Sequence, residues 1–124
     1  VAITAEPLTP TPGLAIVIGS IGALIMYFGT KMLENFGIDD VVGAIPVHMF
    51  AGIFGTLVVP LTNSDTSFGT QLVGTLSVCV FSFVLSYLVF KALKATVGLR
   101  ISKAAEKQGT DKSEIGVTAY SIRD

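Results

Sequence analysis

From Val41 to Leu61 the chain runs for 21 residues without a formal charge, and Gly13 to Gly29 and Gly69 to Phe90 are likewise uncharged and apolar. At about 1.5 Å per residue, a run of this length crosses roughly 30 Å of bilayer hydrocarbon as a helix. Inside hydrocarbon every backbone N–H and C=O must find a partner within the protein, so an apolar run of this kind reads as a helix. Composition agrees: 51% of the residues are hydrophobic and 14% charged, with mean hydropathy +0.73. Soluble domains carry about a quarter charged residues. The fold class that follows is an all-α membrane protein with three transmembrane helices and a short charged tail.

The order of segments comes from breakers and charges. Residues 1–5, VAITA, read as the end of a preceding transmembrane helix, and residues 6–12 hold three prolines that forbid a continuous helix. A span over 13–30 follows, with Ala15, Gly19 and Ala23 at the small-xxx-small spacing that brings membrane helices together. A loop over 31–40 leads to the span 41–61, a second loop to the span 69–92, and 93–124 form the tail. Asp39 or Asp40 suits the N-cap of the middle span, and Ser102 and Gly109 suit the two ends of a short tail helix. Pro46 is expected to free the carbonyl of Val42 from its helical bond. The chain opens on Val, without the basic start of a signal peptide, and reads as the C-terminal piece of a longer polytopic protein.

All eight Lys and Arg residues (Lys31, Lys91, Lys94, Arg100, Lys103, Lys107, Lys112 and Arg123) fall on one side of three alternating spans. By the excess of basic residues in cytoplasmic loops that side is cytoplasmic, as is the C-terminus, while 6–12 and 62–68 face outward. The lone Cys79 reads as a small buried hydrophobe, and no disulfide is available.

His48 is the single histidine, and it sits inside a span. An ionisable group there faces protein or a cavity, which makes it the default functional residue. Four roles fit a lone imidazole: structural donor to a neighbouring helix, proton relay, metal or haem ligand, or pore-lining partner of a small polar substrate. Metal is the poorest fit, because no second His, Cys or carboxylate lies three or four residues away. No catalytic residue, cofactor or nucleic-acid partner is expected.

The stretch Ile38-Asp39-Asp40-Val41-Val42-Gly43-Ala44-Ile45-Pro46-Val47-His48 with Gly52-Ile53-Phe54-Gly55-Thr56 resembles the penultimate helix of the Amt/Rh ammonium transporter family. Val1 to Ala5 look like the family's LVAIT segment. Thr96-Val97-Gly98-Leu99-Arg100, followed by Gly109, Asp111, Gly116 and Tyr120, is similar to its tail. Val41 stands where the family has Pro, Phe54 where it has Trp, Met49 where a small residue is common, and Ile115-Gly116-Val117 where the tail has His-Gly-Glu. The resemblance implies the C-terminal part of an eleven-helix protomer in a homotrimer of the inner (plasma) membrane, active in nitrogen uptake. It implies a narrow pore passing ammonia or ammonium, in which His48 is the second of two hydrogen-bonded imidazoles and Thr4 and Ala44 line the same passage. The tail would meet a PII-type regulatory protein. Two other readings stand beside this one: an Amt-like sensor that signals ammonium through its tail, and a structural membrane segment without conduction.

Overall fold

Thr11 and Pro12 start the first helix by complementary means. The Thr11 hydroxyl accepts the Leu14 N–H at 3.3 Å, and Pro12 occupies a first-turn position whose amide would have no helical partner. In the computed structural model, which describes residues 1–119, helix α1 then runs over Pro12–Asn35. It continues through Lys31 and Glu34, which the sequence assigns to a loop, because no breaker intervenes before Gly37. There the backbone turns left-handed (φ +69°), and Ile38 N–H donates to Leu33 O at 2.9 Å to close the helix.

The middle span has two parts. A π-helical segment, π1, covers Ala44–Phe50 and passes directly into α2, Ala51–Thr62. After a polar loop, α3 spans Phe68–Thr96, its start held by the Ser67 hydroxyl, which accepts the Thr70 N–H at 3.2 Å. Among the described residues, three helical stretches are thus long and apolar enough to cross a membrane. All regular elements among the described residues are helical. Residues 2–5 form turns instead of the end of a helix; their one backbone bond runs from Thr4 N–H to Val1 O, three residues apart.

The described residues form two units, 1–81 and 82–119. In the first, α1 packs against both π1 and α2. Ala2, Ile18 and Ala51 form the buried core, with Ile3, Phe54 and Val58 packed on it. The stripe of α1 that does the packing is Ile18, Gly22, Gly29 and Leu33, all buried. The small-residue face proposed from the sequence lies elsewhere: Gly19 and Ala23 are exposed, and nothing stands within 4 Å of where a Gly19 Cβ would be. At Gly22, by contrast, a Cβ would come within 2.6 Å of the Ala2 Cβ. At the far end of the unit, Asn63 Nδ2 donates to Glu6 Oε2 at 2.8 Å, tying the proline-rich loop to the loop after α2. That bond, with a second from the Leu8 N–H, holds the Glu6 carboxyl below its ordinary value.

In the second unit, Ser102 caps α4 (Lys103–Gln108) through the Ala105 N–H at 3.2 Å, and Gly109 ends it. Arg100 pairs with Glu106. A short π turn, Asp111–Ile115, follows, and the Asp111 carboxylate accepts the Ala119 N–H at 2.8 Å. This bond is the main reason its carboxyl lies below the usual range. Tyr120 and Arg123, used above for the tail pattern and the charge count, lie outside the described residues.

Candidate functional site

The segment that carries His48 is shaped by Asp40. Its two carboxylate oxygens accept separate amides at the start of π1: Oδ1 takes the Ala44 N–H at 2.8 Å and Oδ2 the Ile45 N–H at 2.7 Å. Two of the amides left unpaired at a helix start are thereby satisfied by one charged side chain. Asp40, not Asp39, is the capping group, although it acts from outside the cap position, which Gly43 occupies in a left-handed conformation (φ 70°). The helix therefore begins at Ala44, three residues later than the sequence suggests. Pro46 then sits in the first turn, where its missing N–H costs no helical bond, and Val42, now outside the helix, keeps a carbonyl with no backbone donor among the described residues. The irregularity takes another form, a wide turn of the kind often found at functional sites.

Pro46 is fully buried. Its partner is Gly29 of α1, where an added Cβ would come within 3.2 Å of the Pro46 Cβ and 2.7 Å of the Phe50 ring. One face of π1 is thus locked to α1 by Pro46 and Phe50, and His48 is presented on another. Removing the clamp at Asp40 should loosen this arrangement. Asp40→Ala in the intact protein is expected to lose roughly 1–2 kcal/mol of stability. Asp40→Asn, which keeps one acceptor, should lose less, and Asp39→Ala little. Thermal unfolding checks this; an Asp40→Ala protein as stable as its parent would refute the clamp.

The exposed His48 ring lines a cleft of about 330 Å³ with Met49, Gly52, Ile53 and Thr56 on one wall. Gln71, Gly74, Thr75, Val78 and Cys79 of α3 form the other wall. Thr75 Oγ1, on that wall, is buried and has no hydrogen-bond partner among the described residues. The cleft is therefore apolar with a few polar groups, a composition suited to a small ligand that needs one or two hydrogen bonds. Among the described residues no group of three His, Cys, Asp or Glu side chains lies together in the way a metal ion would require.

The other two sequence-derived site residues do not join His48 in this cleft. Ala44 is exposed at the first position of π1, and Thr4 is exposed in the N-terminal turn, where its hydroxyl donates to Val1 O at 2.7 Å. The α3 wall is the part that the sequence reading missed. Its residues 71, 74, 75, 78 and 79 recur at the spacing of one helical face, and that periodicity was a signal open to view in the sequence.

A family model described as the Ammonium Transporter Family matches residues 1–120. The chain belongs to the Ammonium Transporter Family. Among curated relatives, ammonium transporter Amt2 of Archaeoglobus fulgidus is 33% identical over 141 residues, covering 97% of this chain and 30% of the relative. A Synechocystis protein named as a candidate ammonium transporter is 36% identical, covering 98% of this chain and 28% of its own length. Ammonium transporter Amt1 of Methanocaldococcus jannaschii is 31% identical, covering 90% and 30%. The chain thus spans less than a third of the length of these ammonium transporters, and it represents an all-helical, multi-pass membrane portion of the family.

Proposed function

We propose that the intact protein conducts ammonium nitrogen across the membrane, and that His48 is the group in this portion that meets the substrate. The observation that carries the reading is an imidazole held on a clamped π turn and lining a mostly apolar cleft in a chain of the Ammonium Transporter Family. The relatives' names supply the substrate, ammonium.

Energetics favour passage of the neutral species. Moving a bare ammonium-sized ion into a low-dielectric pore has an idealised cost of order 20 kcal/mol. Removing its proton at neutral pH costs roughly 4 to 5 kcal/mol, taking a Lys-like amine as the analogue. Deprotonation is the cheaper route by a wide margin. A neutral imidazole suits the remainder of the path, because one ring nitrogen donates a hydrogen bond and the other accepts one. Ammonium gives up its proton near the pore, and ammonia crosses held by imidazole nitrogens. The proton either follows along a histidine pair, whose other member lies outside this sequence, or stays behind.

In the same reading, the side that carries the lysines and the tail is cytoplasmic, the protomers assemble as a homotrimer in the plasma membrane, and Thr4 and Ala44 line other parts of the passage. The tail offers a surface to a PII-type protein. Support for an ordered tail comes from the Arg100–Glu106 pair and from the Asp111 carboxylate on the Ala119 amide. The deciding experiment is methylammonium uptake and ammonium-evoked current in proteoliposomes that hold the intact protein. Saturable uptake above protein-free vesicles supports transport. A silent protein whose tail still responds to ammonium would overturn it in favour of sensing.

A further inference from the structure

We infer that the C-terminal end of α3 is a binding site for an anionic phospholipid, with Tyr87, Lys91 and Lys94 taking the phosphodiester headgroup and Phe83 lying along the acyl chain. Positions 83, 87, 91 and 94 follow one another at steps of four, four and three, so they form a single stripe along the helix. The stripe passes from apolar ring to phenol to ammonium over about 16 Å at the helical rise, close to the half-thickness of bilayer hydrocarbon, about 15 Å. Along it the rings of Phe83 and Tyr87 stack at 6.4 Å, and the Lys91 ammonium lies 5.8 Å from the Tyr87 ring centroid. All four side chains are exposed.

Charge decides the ligand. Lys91 and Lys94 are the sole charged residues between Ser82 and Gly98, and among the described residues neither forms an ion pair; the nearest acidic group along the chain, Glu106, is engaged by Arg100. Two uncompensated ammonium groups at the end of a membrane-spanning helix, next to a phenol at the interface, attract a phosphate whose own chains lie against the apolar part of the helix. The same Tyr-x-x-x-Lys arrangement ends α1, where the Lys31 ammonium is 4.6 Å from the Tyr27 ring centroid. There Glu34 follows Lys31 by three residues, so the formal charges of that turn sum to zero. The α3 end is accordingly the stronger site.

The test uses the purified intact protein in detergent with phosphatidylglycerol or phosphatidylcholine added, counting retained lipid by native mass spectrometry. Phosphatidylglycerol should be retained roughly tenfold or more in preference to phosphatidylcholine. The preference should vanish in K91Q/K94Q and survive in K91R/K94R, with both variants eluting as the parent does. Equal retention of the two lipids overturns the site, as does an undiminished preference in K91Q/K94Q. Displacement by soluble glycerol phosphate at matched concentration overturns it too, since that marks a free-phosphate site. The inference rests on α3 crossing the bilayer with this stripe facing lipid: a transport-inactive protein would leave it standing, and loss of the lipid preference would leave the transport reading untouched.

Discussion

Replacing His48 by Ala in the intact protein is expected to lower saturable methylammonium uptake by roughly ten- to a hundredfold, or to turn it into an unselective ion leak. On the proposed role of His48, the magnitude follows from removing the partner of a substrate hydrogen bond, where an unmet polar group costs about 1–3 kcal/mol and each 1.4 kcal/mol is tenfold in rate. The two outcomes have different physical origins. If the space left by the ring stays dry, ammonia loses its hydrogen-bond partner and flux falls. If water enters instead, the desolvation barrier against ions drops and current appears without selectivity. The location of His48 makes a folding artefact separable from this loss, because the exposed ring is not part of the α1–π1 packing, which runs through Pro46 and Phe50. Monodisperse elution with lost uptake therefore supports the assignment. Unchanged uptake with intact selectivity sinks it.

The second large effect is structural. A methyl group added at Gly55 would overlap Ala2 O and meet Ala2 C at 2.7 Å and Ala2 Cα at 2.8 Å. These are backbone atoms, which cannot swing aside as a side-chain tip can, so Gly55→Ala must push the 1–5 segment away from α2. Overpacking of this kind costs typically about 1–3 kcal/mol, and contact with backbone places it at the upper end. The displaced segment includes Ala2, a core residue together with Ile18 and Ala51, so the loss spreads to the α1–α2 contact. Gly19→Ala provides the control: nothing lies within 4 Å of its Cβ, and Ala is favoured over Gly inside a helix by up to about 1 kcal/mol. The expected order of apparent melting temperature in detergent is Gly19→Ala at or above the parent and Gly55→Ala well below. A Gly55→Ala protein that melts with the parent would show that the close approach is not maintained.

Much of this was legible in the sequence because it rests on local rules. Absence of charge over 21 residues marks the middle span, three prolines mark the break before α1, and Ser102 and Gly109 mark the ends of the tail helix. What was not legible depends on side chains reaching across a few residues or between helices. The small-xxx-small spacing occurs on more than one face of α1, and only the partner decides which is used. Gly22 faces Ala2 and Gly29 faces Phe50, whereas Gly19 faces no neighbour. The delayed, widened start of the middle span needs Asp40 to extend past Gly43 to two amides, which no propensity scale encodes. The grouping of His48 with Gln71 and Thr75 joins two helices separated by a loop. Local pattern can nominate each face but cannot pair them.

The wide turn at Ala44–Phe50 also sets how this helix responds to changes in length. A π turn encloses one more residue per hydrogen-bonded ring than an α turn. Deleting a single residue within it would let the ring close as an ordinary helical turn while α2 keeps its phase against α1. The imidazole, lying inside the altered turn, would swing round the axis by up to about 100°, one residue's rotation at 3.6 per turn. Length variation here would re-aim the side chain with little change to the packing beneath it, so a shortened variant would be stably folded with its imidazole turned out of the cleft.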